Sequence, residues 1–324
     1  MARNASNALL HKAKGAKSDE FYTLLDDIER ELVHYESDFN GKTVYCNCDD
    51  PYISNFYKYF HDNFKRLGLK RLIASCYRPS TYDLFQPYTC GKGYYTVFDG
   101  YEADPSAPPH IVFFKGDGDF RSQECIALLQ QSDIIVTNPP FSLFREFVSV
   151  ITSHHKSFLI IGNINAITYK DIFKLIQQNK AWLGVNLGRG ISGFIVPESY
   201  SLYGTETRTD EMGNKIISPN NCLWLTNLET PSRREFINLS KVYAGNEMYY
   251  PKYDNYEGIN VNRTQDIPKD YPGVMGVPIT FLHKYNPHQF EIVRFRKGND
   301  ARDLAINGKC PYFRILIRNK VFAS

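Results

Sequence analysis

Near the middle of the chain stand four consecutive residues, Asn138-Pro139-Pro140-Phe141, whose types could do chemistry together. The Asn138 side-chain carbonyl accepts one hydrogen bond. The carbonyl of Pro139, fixed outward by the two prolines, accepts a second. A planar exocyclic amine carries two N–H donors, so the two acceptors would hold it. Held in this way, the amine loses conjugation with its ring, and its lone pair becomes available to attack an electrophilic methyl group. Phe141 would lie against the ring that bears the amine. Such a site works by orientation and needs little help from a strong base. The plainer alternative is a turn that only ends a strand.

The flanking residues decide where such a turn sits. Ile134-Ile135-Val136 is an unbroken apolar run of β-favouring residues, which reads as a strand buried on both faces. Pro139 and Pro140 forbid both a helix and a ladder at that point. Leu143, Phe144, Phe147, Val148 and Ile151 then recur at helical spacing. The turn therefore belongs at the carboxyl end of a buried strand, where open α/β sheets place their ligands.

Other segments supply neighbours to that edge. Residues 43–48 read as a strand ending in Asp49-Asp50-Pro51. Ile53, Phe56, Tyr57, Phe60 and Phe64 give a helix that closes at Leu67-Gly68, where Gly suits a C-cap. Leu72-Ile73-Ala74 gives the next strand, completing a right-handed βαβ unit. Asp49 and Asp50 then sit at a strand end and a helix start. Upstream, Tyr22 and Thr23 precede a helix over 24–36, built on Leu24, Leu25, Ile28, Leu32 and Val33. Asp26, Asp27, Glu29, Arg30 and Glu31 take its opposite face, and the plain reading of Thr23 is an N-cap. Residues 111–114 read as a strand running into Lys115-Gly116-Asp117-Gly118-Asp119-Phe120, before a helix over 122–131. Residues 158–161 form a strand ending in Gly162-Asn163, and 169–178 a helix. The last strands of the sheet fall at 182–185, 193–196 and 222–225, with 202–219 a loop and 78–110 an excursion around a weak strand pair at 94–98. Further on, 277–282, 290–295 and 313–317 are candidate strands. The alternation of strand and helix makes the fold class α/β.

Composition bounds the partners. The chain has 324 residues, enough for one large domain or a domain with an appended module. Hydrophobic content of 43% and charged content of 23% mark an ordinary soluble globular chain. Aromatic content is high, at 15%; such rings build cores and also stack on bases. The net charge of +3 is unevenly spread: from Glu229 onward 15 Lys and Arg face 10 Asp and Glu, leaving 23 against 25 in the rest. A basic C-terminal third suits a nucleic-acid surface or a solvated face. Residues 1–17 are small and basic; Lys12 and Lys14 there could meet phosphates, or belong to a mobile tail. Seven scattered cysteines, with Cys46 and Cys48 lacking a matching pair, give no metal pattern. With no secretory signal, reduced thiols and a cytoplasmic location are expected. No apolar run approaches about 18 residues, so no membrane span is expected.

Longer strings carry a family resemblance. Asn138-Pro139-Pro140-Phe141 after such a strand looks like the catalytic motif of amino-group methyltransferases. Lys17-Ser18-Asp19-Glu20-Phe21-Tyr22-Thr23, Val44-Tyr45-Cys46-Asn47-Cys48-Asp49-Asp50-Pro51, Gly116-Asp117-Gly118-Asp119-Phe120-Arg121-Ser122 and Asn220-Asn221-Cys222-Leu223-Trp224-Leu225-Thr226-Asn227 resemble the EcoRI-type adenine-specific DNA methyltransferases. Gly276-Val277-Pro278-Ile279-Thr280-Phe281-Leu282 and Asn307-Gly308-Lys309-Cys310-Pro311-Tyr312-Phe313-Arg314 do so too, and the similarity spans residues 1–320.

The resemblance implies a Rossmann-like S-adenosylmethionine-dependent methyltransferase sheet with a C-terminal DNA-recognition region. The implied limits are a basic tail over 1–17, a catalytic domain over 18–228 and a recognition region over 229–324. It implies methylation of adenine N6 in double-stranded DNA at GAATTC, protecting the site from a cognate restriction endonuclease. The target base would be flipped out of the duplex, because a stacked, paired amine cannot reach the turn. Asn138, Pro139, Pro140 and Phe141 would hold the adenine. Tyr22 and Thr23 match the N-terminal cofactor motif, Asp49 and Asp50 the first cofactor loop, and Asp119 with Phe120 the strand end that meets the cofactor's adenine; Asp117 competes with Asp119 for that place. The first loop lacks Gly-x-Gly, and the second strand ends Ser75-Cys76-Tyr77 without an acid for the ribose. Arg233, Arg234, Arg263, Arg294 and Arg296 are the candidates to touch phosphates or guanine edges. A monomer suffices, since each turnover modifies one base. The competing readings are a methyltransferase acting on RNA or on protein glutamine, and a DNA-binding relative without catalysis.

Overall fold

A computed structural model describes residues 22–78, 81–83, 86–89, 91–101, 108–186, 191–196, 207–210, 213–218 and 221–322. Lys12 and Lys14, with the rest of the stretch 1–17, lie outside the described residues. The chain divides into two compact units, one of Met1–Ile172 with Gly184–Leu228, the other of Phe173–Leu183 with Glu229–Ser324.

The first unit carries, in chain order, β1 (Tyr22–Thr23), β2 (Thr43–Asn47), β3 (Arg71–Cys76), β4 (Thr81–Asp83), β5 (Gln86–Thr89), β6 (Tyr94–Phe98), β7 (Ile111–Phe113), β8 (Ile134–Thr137) and β9 (Ser157–Asn163). The short β10 (Trp182–Leu183) falls in the segment grouped with the second unit. β11 (Phe194–Val196), β12 (Thr207–Thr209), β13 (Lys215–Ile217) and β14 (Cys222–Thr226) return to the first.

Within the first unit the large sheet has the order β14-β9-β8-β2-β3-β6-β7. β9, β8, β2 and β3 are mutually parallel, with Tyr45 level with Ile73 on one side and Ile135 on the other. β14, β6 and β7 join antiparallel to their inner neighbours. Every residue of β2 and β8 is buried, which is why Ile134-Ile135-Val136 of β8 reads as an unbroken apolar run rather than an alternating one. Because β6 reverses direction and β7 reverses it again, β7 ends at the same edge as β3. The protein is therefore a mixed α/β structure built on a large mixed sheet.

Several expectations needed correction. The first helix is Leu25–Leu32, followed by a 3-10 stretch over Val33–Phe39, and its N-cap is Leu24 with no side-chain cap. Thr23 is not a cap. It lies in β1, opposite Phe194 of β11, in a separate sheet of order β1-β11-β13-β12. β11 is thus not a strand of the main sheet, and β12 and β13 occupy part of the stretch read as a loop. Two carboxylates read as solvent-facing, Asp27 and Glu31, are fully buried. The reason is backbone demand elsewhere. Asp27 accepts hydrogen bonds from Ser192 N at 2.7 Å, from Ser192 Oγ at 2.9 Å and from Gly193 N at 3.4 Å. Glu31 accepts from Val185 N at 2.8 Å, Asn186 N at 2.7 Å and the Tyr35 hydroxyl at 2.8 Å. Burial pushes both carboxyls up, and these bonds pull them back.

In the second unit, β15 (Ile259–Asn260), β16 (Met275–Pro278), β17 (Phe290–Phe295) and β18 (Arg314–Asn319) form a sheet of order β15-β16-β18-β17. The strand expected over 277–282 stops at Pro278 and continues as a 3-10 turn, Ile279–Lys284, since proline cannot donate to a ladder. The early segment docks here: Phe173 stacks on Phe295 at 4.9 Å, and the Gln177 amide donates to Val293 O at 2.9 Å.

Replacing Asp27 with Ala would leave the Ser192 and Gly193 N–H groups buried without an acceptor. The variant should lose about 2–4 kcal/mol of stability. A denaturant midpoint lowered at unchanged slope would show this, and a midpoint equal to that of the parent protein would refute the clamp.

Candidate functional site

The site is assembled where β2, β3, β7, β8 and β9 end. β2 runs out into a loop without glycine, and Cys48 takes the left-handed conformation there, at φ 81°. Asp49 follows, with its N–H on Ser75 O at 2.9 Å. One Asp49 oxygen accepts from the Ser54 hydroxyl at 2.6 Å, and the other meets the Thr137 hydroxyl at 2.5 Å. Ser54 also N-caps the helix Asn55–Asp62, accepting from Phe56 N and Tyr57 N. Burial, opposed by the hydrogen bonds from Ser54 and Thr137, raises the Asp49 carboxyl to about 7. Asp50 is equally enclosed: it accepts from Arg78 Nη2 and the Tyr94 hydroxyl, both at 2.9 Å, and from Tyr52 N at 3.0 Å. Both carboxylates thus bond within the chain, and what they present outward is a shaped loop.

Beyond β7 the chain turns at Gly118, φ 80°, where a Cβ would lie 2.7 Å from the Cys76 carbonyl. That close approach puts Asp117 beside the end of β3, with its carbonyl accepting from Arg78 N at 2.8 Å. Asp119 is held by Arg121 through Nε at 2.9 Å and Nη2 at 2.7 Å, and the guanidinium keeps its carboxyl below the usual range. Arg121 also reaches Glu146 at 2.7 Å. Phe120, beside Asp119, is buried. Its ring is 4% exposed, edge-on to Phe147 at 5.1 Å, with the Arg121 guanidinium 5.3 Å over it.

β8 ends at Thr137, and Asn138-Pro139-Pro140 forms the turn. Asn138 is half-buried with its side-chain oxygen enclosed, while Pro139 is buried. Pro140 O accepts from Leu143 N at 3.0 Å and starts the 3-10 turn Phe141–Leu143. The helix Phe144–Ser153 follows and lies close on β9, where a Cβ at Gly162 would sit 2.6 Å from the Phe144 ring. Phe141 meets Phe194 edge-on at 6.2 Å. Phe194 is the β-partner of Thr23, so the N-terminal strand is brought to the turn through one ring. Thr23 Oγ1 is enclosed and meets no hydrogen-bond partner among the described residues, while its carbonyl accepts from Asn55 Nδ2 at 2.8 Å. Beside Phe141 opens a cleft of about 380 Å³, lined in part by Leu143, Arg145, Tyr169 and Asp171.

The C-terminal arginines separate by environment. Arg233 is withdrawn: its guanidinium lies 3.5 Å over the Trp182 ring and bonds to Glu229 at 2.8 Å and Asn179 at 3.1 Å. Arg296 is paired through both nitrogens with Asp303 at 2.9 and 2.7 Å, and lies 4.1 Å over Phe313. Both arginines thus have partners within the protein, Arg233 buried and Arg296 half-buried. Arg234, Arg263 and Arg294 are exposed.

The sequence profile described as "Adenine-specific methyltransferase EcoRI" matches residues 9–320. The chain is 61% identical to Type II methyltransferase M.EcoRI of Escherichia coli, over 99% of both proteins. It is 39% identical to Type II methyltransferase M.MpnI of Mycoplasma pneumoniae and 38% identical to M.MgeORF184P of Mycoplasma genitalium, each over 96% of this chain and 98% of the relative. No solved structure matches the chain. The chain belongs to the EcoRI family of adenine-specific methyltransferases.

As a DNA adenine methyltransferase, it carries supporting residues that pattern-reading passed over. Ser54 had a signal, since a Ser one residue before a helix is a capping residue. Thr137, Arg78, Tyr94 and Phe194 had none, because their partners lie far away in sequence. No helix among the described residues is long and apolar enough to cross a membrane.

Asp49 makes this methyltransferase's stability depend on pH. Its carboxyl, at about 7 when folded, lies above its unfolded value, so its contribution is fully present below about pH 4 and lost as pH rises through 7. Asp49→Asn should therefore exceed the parent protein in stability at pH 8 by about 2–4 kcal/mol. The gap should close toward pH 5. Denaturant midpoints at the two pH values check this, and a pH-independent gap would refute it.

Proposed function

We propose that this enzyme transfers a methyl group from S-adenosylmethionine to N6 of an adenine flipped out of duplex DNA. The site is GAATTC, and methylation there would shield it from a companion restriction endonuclease. The observation that carries this reading is the position of Asn138-Pro139-Pro140-Phe141 at the carboxyl end of β8, linked through Phe141 and Phe194 to the strand of Thr23, whose enclosed Oγ1 has no hydrogen-bond partner among the described residues. The name of the Escherichia coli relative supports the choice of site. A Rossmann-like reading of the parallel strands β9, β8, β2 and β3 supports the cofactor.

The bound cofactor supplies an electrophilic methyl group. Thr23, with Tyr22 next to it, offers a buried oxygen that needs a partner and so fits a polar group of that cofactor. The loop at 48–50 offers its backbone, shaped by Asp49 and Asp50. Asp117 is half-buried at the same edge and remains a candidate for the cofactor, whereas Asp119 is neutralised by Arg121. Asn138 Oδ1 and Pro139 O accept the two protons of the adenine amine, and Phe141 packs on the base. Orientation, rather than proton removal by a strong base, then lowers the barrier. DNA contacts are assigned to the region 229–324 through exposed Arg234, Arg263 and Arg294, and to Lys12 and Lys14. The protein acts as a monomer.

Asn138→Ala should slow methyl transfer by about 100-fold or more while leaving the fold intact, because the amine loses its main acceptor. Labelled methyl transfer onto a random DNA pool, followed by mapping of the modified base, tests the whole reading; transfer to RNA or protein alone would overturn it. DNA affinity should fall by about 10³-fold between 50 and 200 mM salt if about six phosphates are contacted. A flat salt response would remove the phosphate interface.

A further inference from the structure

Thr137 is the last residue of β8 and adjoins Asn138, and its side chain is wholly buried. Its hydroxyl lies within hydrogen-bonding reach of two acceptors, Asn47 O and Asp49 Oδ2. A threonine hydroxyl has one hydrogen to give. The Ser54 hydroxyl cannot supply another to this oxygen, because it donates to Asp49 Oδ1 while its own oxygen accepts from Phe56 N and Tyr57 N. A neutral Asp49 acid would let one proton serve each contact. Asp49 then donates to Thr137, Thr137 donates to Asn47 O, and every buried group in the chain of bonds is satisfied. The burial that raises the Asp49 carboxyl agrees with this arrangement.

We propose that Asp49 is a positioning residue of the methyl-transfer site, acting through Thr137 to fix where Asn138 stands. The inference rests on the reading that Asn138 holds the target amine, and extends it. The loop after β2 and the turn after β8 leave adjacent parallel strands, and the Asp49–Thr137 bond ties one to the other. Asp49 touches no substrate atom in this role. It fixes the residue that does, and a displacement of about 1 Å at such a residue can cost about 100-fold in rate. It also explains why both Asp49 oxygens are spent inside the protein at a place where a cofactor-binding carboxylate was expected.

The test is a double-mutant cycle read by single-turnover methyl transfer on the target duplex, with cofactor and DNA affinities titrated separately. Thr137→Val should slow transfer by about 10-fold or more with affinities changed by less than about 3-fold, and Asp49→Ala should slow it by about 10-fold or more at saturating cofactor and DNA. The double variant should be no slower than the slower single variant by more than about 3-fold, because both remove one bond. Thr137→Ser, which keeps the hydroxyl, should recover most of the rate lost in Thr137→Val. Losses that multiply in the double variant, or a Thr137→Val rate within about 3-fold of the parent protein, would overturn the proposal. Should Asp49→Ala fail to fold, the contrast of Val and Ser at Thr137 decides alone, and equal rates for the two overturn the proposal. Asn138→Ala run alongside separates the two levels: normal turnover there defeats the reading of Asn138, whatever the cycle shows.

Discussion

The candidate site depends on one constraint, the parallel pairing of β8 with β2 on one side and β9 on the other. Parallel strands end at the same edge, so three loops emerge side by side and chemistry spread over more than a hundred residues of sequence becomes local. Register does the fine work. Ile135 lies level with Tyr45, and Thr137 with Ile160, which brings the Thr137 hydroxyl to the loop that β2 feeds. The proline pair then ends β8 abruptly and the next helix begins within one turn. Gly162 lets that helix pack against β9, so the turn is braced on both flanks.

The bracing uses buried carboxylates to an unusual extent. Asp27, Glu31, Asp49 and Asp50 are all nearly or fully enclosed. A buried carboxyl is costly unless it is bonded, and each of these is bonded at least twice. Asp27 and Glu31 gather N–H groups from Ser192, Gly193, Val185 and Asn186. In doing so they set the start of β11, and with it Phe194 against Phe141 and opposite Thr23. Acids on one helix turn thus hold in place a ring on which two parts of the site converge.

Much of this was legible in sequence, for physical reasons. The strands β8 and β9 read correctly because burial on both faces leaves an unbroken apolar run. The helix expected from Ile53 to Leu67 falls in the right place but breaks at Asn63 into Asn55–Asp62 and Phe64–Leu67, and Gly68 takes the left-handed C-cap of the second. Asp27 and Glu31 were misread because spacing places a residue on a helix face but says nothing of a distant segment that covers the face. Thr23 was misread because Thr before a helix suits a cap and a strand end equally well, and its strand partner lies far along the chain. Charge alone does not reveal the Trp182 and Phe313 rings beneath Arg233 and Arg296.

The loop after β2 shows how a glycine-poor sequence can meet the same geometric demand by other means. A left-handed residue is needed there, and Cys48 supplies it at a cost of about 1–2 kcal/mol relative to glycine. Asp49 and Asp50 offset that cost. Their oxygens are hydrogen-bonded to Ser54, Thr137, Arg78, Tyr94 and Tyr52, so five residues fix the loop. Glycines would have given the backbone the same path with more freedom to lose on folding. Here side chains hold the path, and one of them, Thr137, belongs to the strand that delivers Asn138. The departure from the glycine pattern and the buried bond to the turn are therefore two aspects of one arrangement, in which the loop's shape and the turn's position are set together.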